Sequence, residues 1–157
     1  MAYLLDADVF VQAHRMHYSF AVCPGFWRWI DDAHSRKLVF SIKQVQKELL
    51  VLEDELSKWV KQRKSLFLDS EDSKTYDSQG LLSTWAADHY AQYALTEFFG
   101  AADFRLVAFA HAFGHTVVTH EVYQVCNRVK IPNACKAMDV PCITTFQMLQ
   151  TEGARFS

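Results

Sequence analysis

Residues 102–121 read ADFRLVAFAHAFGHTVVTHE and contain the signals for a helix, a turn and a strand in succession. Apolar residues at helical spacing follow the acid Asp103, and Gly114 is a typical helix stop signal. The β-branched segment 115–119 then predicts a short strand, with Glu121 directly after it. A helix that leads into a short buried strand is typical of α/β proteins with a parallel sheet.

The same alternation of short strands and longer helices extends over the rest of the chain. We predict further strands at Ala2–Leu5, Leu38–Ser41 and residues 141–145. Helices are predicted in residues 26–37, from Ile42 to Val60 with Ser41 as N-cap, from Leu81 to Phe99, after Pro132, and from Phe146 to Gln150. The polar segment 69–80, DSEDSKTYDSQG, is predicted to be an exposed loop. We therefore expect residues 1–157 to form a single three-layer α/β/α domain around a central parallel sheet of four to five short strands.

The composition favours a soluble protein with an ordinary hydrophobic core. Half of the 157 residues are hydrophobic and 22% are charged, which is close to the usual share for a globular domain. The N-terminus does not resemble a signal peptide, and no apolar run approaches the ~20 residues that span a bilayer. The four cysteines include no C-x-x-C pair, so we expect free, mostly buried thiols and a cytoplasmic protein without membrane contact.

Two predicted strands run directly into carboxylates. Asp6 ends the first strand and Glu121 follows the strand in segment 115–119. In open parallel sheets, ligands bind beyond the carboxyl ends of the strands. Both acids are therefore expected in one crevice if their strands are neighbours.

Two helical acids are candidates for the same crevice. Glu48 lies close to the apolar stripe of its predicted helix, and Asp103 lies in the first turn of another. A solvent-exposed glutamate and an aspartate that complements the helix dipole are the ordinary alternatives. Four carboxylates at one edge would repel each other unless a cation neutralised them, and hard oxygen ligands favour Mg²⁺ or Mn²⁺. Such ions assist phosphodiester hydrolysis.

These motifs resemble those of the PIN-domain ribonuclease family. MAYLLDADVF is similar to the opening PIN strand, VQKEL to the helix that carries the second acid, and residues 103–121 to the pattern of an aspartate, an apolar helix, a glycine and a strand. The tail KIPNACKAMDVPCITTFQMLQ further resembles a bacterial PIN-like subfamily that is often encoded in toxin–antitoxin-like gene pairs. The chain departs from the PIN pattern at Asp8, where Ser, Thr or Asn is usual, and at Glu121, where Asp is usual.

The resemblance implies a metal-dependent endoribonuclease with Mg²⁺ or Mn²⁺ held by Asp6, Glu48, Asp103 and Glu121. Asp8 and Thr119 are then expected in the outer shell of the metal site. The resemblance also implies an RNA substrate, a role as the toxin of a toxin–antitoxin module, and a protein antitoxin as partner. PIN-like nucleases commonly form homodimers, and we expect the interface in the Trp27–Trp29 or Leu81–Phe99 region.

Basic residues provide candidate contacts to the RNA backbone. Residues 36–64 contain eight Lys or Arg and four acids, whereas residues 65–103 contain one Lys and seven acids. The candidates are Arg15, Arg105, Lys58 and Lys61, with His120 near the acidic edge. Ordinary solvated helix faces are the alternative interpretation.

Two other functions compete with a nuclease. The D-x-D in LLDADVF, Asp6 and Asp8, also fits a phosphatase of the haloacid-dehalogenase type, with Asp6 as nucleophile and Asp8 as general acid. A non-catalytic binding module that keeps the PIN fold is the second alternative. A zinc site at His111 and His115 is disfavoured because Gly114 is expected to end the helix between them, so the two histidines would not share a helical face.

Overall fold

A computed structural model describes residues 1–156, which form a five-stranded, all-parallel sheet flanked by helices, as expected for a three-layer α/β/α fold. The strands are β1 (Tyr3–Leu5), β2 (Val39–Ile42), β3 (Phe67–Leu68), β4 (Thr116–Val118) and β5 (Cys142–Ile143). The α-helices are α1 (Ala7–Gln12), α2 (Pro24–Ser35), α3 (Lys43–Val51), α4 (Glu55–Lys61), α5 (Ser73–His89), α6 (Gln92–Gly100), α7 (Ala102–Phe113), α8 (Ile131–Ala137) and α9 (Thr145–Thr151). A π-helical turn, Ala13–His17, extends α1, and a 3-10 turn, Lys64–Leu66, precedes β3.

The strand order is β3-β2-β1-β4-β5, with β1 in the centre. On one side β1 pairs with β2, with Tyr3 opposite Val39, and on the other side it pairs with β4, with Leu4 opposite Val117. The chain winds outward from β1 in one direction through β2 and β3, and then crosses to the other side at β4. The reversal of strand order therefore lies between β1 and β4, and this is the place where open parallel sheets form ligand crevices.

The core lies on both faces of the sheet. Residues Leu4, Leu5, Val39, Val117 and Val118 are completely buried, because helices cover both sides of a parallel sheet. Helix α7 packs most extensively against α5 and has seven buried residues, so its first turn is held firmly against the sheet edge.

The prediction of one continuous helix from Ile42 to Val60 is wrong. The chain forms α3 and α4 instead, with a break at residues 52–54, where Glu53 has a φ of 50°. Asp54 begins α4 with a capping box, in which its carboxylate accepts a hydrogen bond from the Ser57 N–H at 2.9 Å. A capped second helix is favoured over one long helix because the Ser57 hydroxyl also donates to the Leu49 carbonyl.

Two further local predictions are corrected. Ser41 is not an N-cap: it lies within β2, and its hydroxyl donates to the Leu5 carbonyl at 2.6 Å. The segment 69–80 is not all loop, because α5 begins at Ser73. Asp72 caps that helix by accepting a hydrogen bond from the Thr75 N–H, and its cap extends the helix into polar sequence.

No helix within residues 1–156 is long and apolar enough to cross a membrane. The cysteines of this part of the chain are free, but Cys135 alone is fully buried, so the expectation of mostly buried thiols is wrong.

Candidate functional site at the sheet edge

Asp6 lies at the carboxyl end of the central strand. It directly follows β1 and acts as the N-cap of α1, with its carboxylate accepting a hydrogen bond from the Ala7 N–H at 2.7 Å. Its side chain is buried, with 5% exposure, and it accepts a second hydrogen bond from the Thr119 hydroxyl at 2.9 Å. Because Thr119 follows β4, this contact joins the ends of the two strands that flank the reversal of strand order.

Thr119 and His120 tie Asp8 to the same edge. The Thr119 hydroxyl lies 3.2 Å from Oδ2 of Asp8, and the His120 N–H donates to both oxygens of Asp8 at 3.2 Å. Asp8 therefore contacts the backbone after β4, from the first turn of the helix that Asp6 caps. The structure brings together Asp6, Asp8 and Thr119.

Glu48 reaches this edge from α3. Its Oε1 accepts a hydrogen bond from the N–H of Ala102 at 3.1 Å, the first residue of α7. The N-cap of α7, Ala101, has no side chain that can cap the helix, so the glutamate of a neighbouring helix satisfies one of its free N–H groups. Glu48 therefore lies beside Asp103, in the first turn of α7.

Glu121 lies in the loop after β4 and makes an equivalent contact with α8. Its Oε2 accepts a hydrogen bond from the N–H of Ile131, the first residue of α8, at 2.7 Å. Its own N–H donates to the Thr119 hydroxyl at 3.1 Å. Glu48 and Glu121 thus each complement the N-terminus of a helix with one carboxylate oxygen.

The charges of these acids act on one another. Burial, followed by the negative charges of Glu121, Glu48 and Asp8, raises the pKa of Asp103 to about 7. Burial also raises the pKa of Asp6 well above its usual range, and the charges of Asp8 and Asp103 raise it further. The four predicted acids and Asp8 therefore belong to one electrostatic cluster, which we call the acidic cluster, at the carboxyl edge of the sheet.

The acidic cluster has the donor chemistry of a site for a hard divalent cation. The dominant influences on the pKa of Asp6 and Asp103 are burial and like charges, and no Lys or Arg of residues 1–156 forms a salt bridge with either acid. Carboxylate oxygens suit Mg²⁺ or Mn²⁺, and Mg²⁺ commonly takes one or two carboxylates and keeps several waters. As the side chains stand in residues 1–156, no group of three or more His, Cys, Asp or Glu residues is placed to hold a metal ion. Two of the acids, Glu48 and Glu121, hold backbone N–H groups instead.

The four predicted basic residues lie on three elements: two follow acids of the cluster on the same or the next helical element, and two lie on α4. Arg15 is exposed on the π-helical turn that continues α1, and Arg105 lies in α7, where it donates to the Phe99 carbonyl at 3.3 Å. Lys58 and Lys61 are exposed on α4, and Lys58 lines a surface groove with Phe20 and Trp59. Neither lysine is among the charges that shift the pKa of Asp6 or Asp103.

Sequence reasoning named His120 near the acidic edge but missed its neighbours and a pair of thiols. The His17 ring lies 6.3 Å from the His120 ring, and Nε2 of His120 is 3.0 Å from the Thr145 hydroxyl. The thiols of Cys135 and Cys142 contact each other, and this contact raises the pKa of Cys135 and lowers the pKa of Cys142. No spacing in the sequence indicates these neighbours, because they lie on separate elements that meet through the fold.

Comparison with known proteins gives one match. No curated protein and no solved structure matches the chain significantly. A family model described as "Domain of unknown function (DUF4411)" matches residues 3–156, which include every strand and helix of the fold and all five acids of the cluster. The chain therefore belongs to the DUF4411 family.

Proposed function

We propose that this protein is a metal-dependent endoribonuclease that hydrolyses RNA phosphodiester bonds at the acidic cluster. One observation carries the proposal: acids that follow β1 and β4 and acids of α3 and α7 meet beside the reversal of strand order. Within residues 1–156 no Lys or Arg forms a salt bridge with them, and Arg128, which lines a small cavity with Asp103, pairs with Glu97. A parallel sheet binds ligands at the reversal of strand order. Mutually repelling carboxylates there fit a cation better than they fit any anionic ligand.

Asp6, Glu48, Asp103 and Glu121 are the residues that would hold Mg²⁺ or Mn²⁺. Such an ion, when bound, polarises a phosphoryl group and lowers the pKa of water. The protein's own contribution is rigidity: Thr119 fixes one oxygen of Asp6, and Asp8 is fixed by the His120 N–H. We place Asp8 and Thr119 in the outer shell, where they orient Asp6.

The finer parts of the proposal rest on the resemblance of the motifs to PIN-domain ribonucleases. These parts are an RNA substrate, a role as the toxin of a bacterial toxin–antitoxin module, an antitoxin protein as partner, and a cytoplasmic location. Exposed cations support contact with a polyanion: Arg15 follows the helix that Asp6 caps, and Lys58 and Lys61 lie on α4. Arg105 is half-buried two residues after Asp103.

Burial of Asp6 favours the nuclease over a phosphatase of the haloacid-dehalogenase type. That reaction needs Asp6 as an ionised nucleophile that reaches the phosphorus atom. Here its side chain is 5% exposed and accepts hydrogen bonds from Ala7 and Thr119. A carboxylate in this position is better suited to holding a cation than to attacking a phosphomonoester.

The test is cleavage of a labelled single-stranded RNA by the purified protein in Mn²⁺, in Mg²⁺ and in excess EDTA. We expect cleavage with either ion, none in EDTA, and at least about a hundredfold loss in Asp6→Asn and Asp103→Asn variants, as for the removal of one strong electrostatic contact in a transition state. The control is Asp32→Asn. Asp32 is an exposed acid of α2 paired with Arg36, so this variant should cleave like the wild type.

Three results would reject the nuclease: no cleavage in either ion, cleavage that survives EDTA, or equal activity in Asp6→Asn and Asp32→Asn. RNA binding without cleavage in any metal would instead support the non-catalytic binding module. Hydrolysis of a small phosphomonoester with a phosphorylated Asp6 would support the phosphatase.

A further inference from the structure

A separate concave site lies on the outer side of the loop that carries Glu121. This aromatic pocket has a volume of about 340 Å³, at the lower end of the range for small-ligand sites. It is formed where the end of α5, the loop after β4 and the outer face of α8 meet. The lining side chains that matter here are Trp85, His89, Tyr90, Tyr123, Asn133 and Lys136.

The aromatic pocket is built on the same loop and helix as the acidic cluster. Tyr123 is two residues beyond Glu121, and Asn133 is two residues beyond Ile131, whose N–H binds Glu121. Asn133 holds the loop in place, because its side chain accepts from the Gln124 N–H at 3.1 Å and donates to the Gln124 carbonyl at 2.9 Å. The pocket and the acidic cluster therefore share the loop after β4 and the start of α8.

The lining offers stacking surfaces and a cation together. The rings of Trp85 and Tyr90 meet edge to face at 5.6 Å, and Tyr123 is 49% exposed at the rim. Nζ of Lys136 lies 4.8 Å from the centre of the Tyr123 ring. Aromatic faces stack on nucleobases, and an adjacent ammonium attracts the phosphate that follows the base.

We propose that the aromatic pocket binds an unpaired base of a single-stranded RNA, next to the phosphodiester bond that the acidic cluster cleaves. This inference rests on the proposed function and narrows its substrate to single-stranded RNA. Bases in a duplex are stacked on one another, so their faces are closed to Trp85 and Tyr123, whereas unpaired bases present them. The exposed apolar side chain of Val125 on the same loop also lines the pocket and extends the surface available to the base.

The experiment measures binding without turnover. Fluorescence anisotropy of a labelled single-stranded RNA 12-mer is recorded in EDTA with the wild type, Tyr123→Ala, Tyr123→Phe and Lys136→Ala. We expect Tyr123→Ala to weaken binding at least about fivefold, since one base–aromatic contact contributes about 1–3 kcal/mol. Tyr123→Phe keeps the ring and should bind like the wild type. The Lys136→Ala loss should shrink as salt is added, and the Tyr123→Ala loss should not.

The chain contains a matched control pair. Nζ of Lys74 lies 5.7 Å from the ring centre of Phe113, which is 42% exposed and lies outside the pocket. Lys74→Ala and Phe113→Ala should therefore bind the RNA like the wild type. In the RNA, one abasic nucleotide at the preferred position should weaken the wild type but cause no further loss in Tyr123→Ala.

Four results would overturn the inference: no RNA binding by the wild type, equal binding by Tyr123→Ala and Tyr123→Phe, equal losses in the control pair, or equal affinity for abasic and intact RNA. The outcome is separable from the cleavage test because no metal is present. Binding that depends on Tyr123, without metal-dependent cleavage, would reject the nuclease and keep the base site. Cleavage that depends on Asp6, with no effect of Tyr123→Ala on binding, would keep the nuclease and reject the base site.

Discussion

At the residue scale, the raised pKa of Asp103 shows that the negative charges of the cluster lower the stability of the metal-free protein. Its pKa is raised to about 7 from an ordinary value of 3.8, first by burial and then by Glu121, Glu48 and Asp8. Between those two values the folded protein holds a proton that the unfolded chain has released. The metal-free protein therefore loses stability as the pH rises through this window. Above about pH 7 both states have released the proton, and the stability that the protonated Asp103 contributed is lost.

This predicts an unusual pH dependence of unfolding in EDTA. From pH 5 to pH 8, the wild type should lose about 2 kcal/mol of unfolding free energy relative to the Asp103→Asn variant, less than the full shift would give because Asp103 is half-buried. The variant should be more stable than the wild type at pH 8. Asp6, with its raised pKa, leaves a residual slope of the same sign. Burial lowers the pKa of His115 and His120, which adds a slope of the opposite sign to both proteins and cancels in the difference.

Urea unfolding at several pH values provides the measurement, with Asp32→Asn as the control that should retain the wild-type slope. Although burial opposes the shift, hydrogen bonds from Ser57 and the charge of His14 lower the pKa of Asp54. Asp54 therefore changes the free energy of unfolding only below about pH 4, outside this window. A difference in unfolding free energy between the wild type and Asp103→Asn that stays constant from pH 5 to pH 8 would contradict the electrostatic description of the cluster.

At the element scale, two glycines make opposite predictions about helix stability. Gly114 ends α7 with a φ of 71°, a conformation that is costly for other residues, whereas Gly80 lies within α5 with nothing within 4 Å of an added Cβ. Gly114→Ala should lower stability by about 1 kcal/mol, and Gly80→Ala should raise it by about 0.5–1 kcal/mol. Thermal unfolding of both variants tests this. Equal shifts of the melting temperature would contradict the assigned helix end.

Elements with strong local signals could be predicted from the sequence. Helix α7 begins and ends as the motif around Asp103 and Gly114 indicates, and β1 and β4 follow from short apolar runs. The break between α3 and α4 was missed because apolar spacing continues across it. The capping role of Ser41 was wrong because its hydroxyl binds Leu5, a contact 36 residues away in sequence.

The candidate site also contains residues that the sequence predicts and contacts that it does not. Asp6 and Glu121 were predicted because each follows a strand, and the pairing of β1 with β4 puts those ends side by side. The hydrogen bond from Ala102 to Glu48 spans 54 residues, so no sequence pattern could show it. The aromatic pocket was missed for the same reason, because Trp85 and Tyr123 meet only through the packing of separate elements.

At the scale of the whole molecule, the exposed apolar residues bear on the proposed homodimer. Trp27 is 3% exposed and belongs to the core, so it cannot provide an interface. Leu81 and Tyr93 are 60% and 62% exposed, on α5 and α6, within the second predicted region. We predict a dimer through this face, so that Leu81→Glu should yield monomers in sedimentation velocity. A wild type that stays monomeric at high concentration would refute the dimer.

The central claim concerns the whole sheet edge: Asp6, Glu48, Asp103 and Glu121, delivered by distant segments, act as one cation site. Calorimetric titration with Mn²⁺ tests it most directly, using the wild type, Asp103→Asn and the control Asp32→Asn at pH 7.5. We predict saturable binding to the wild type and to Asp32→Asn, and a loss of at least about tenfold in affinity for Asp103→Asn. A wild type that binds no Mn²⁺, or an Asp103→Asn variant that binds it as tightly as the wild type, would contradict the account.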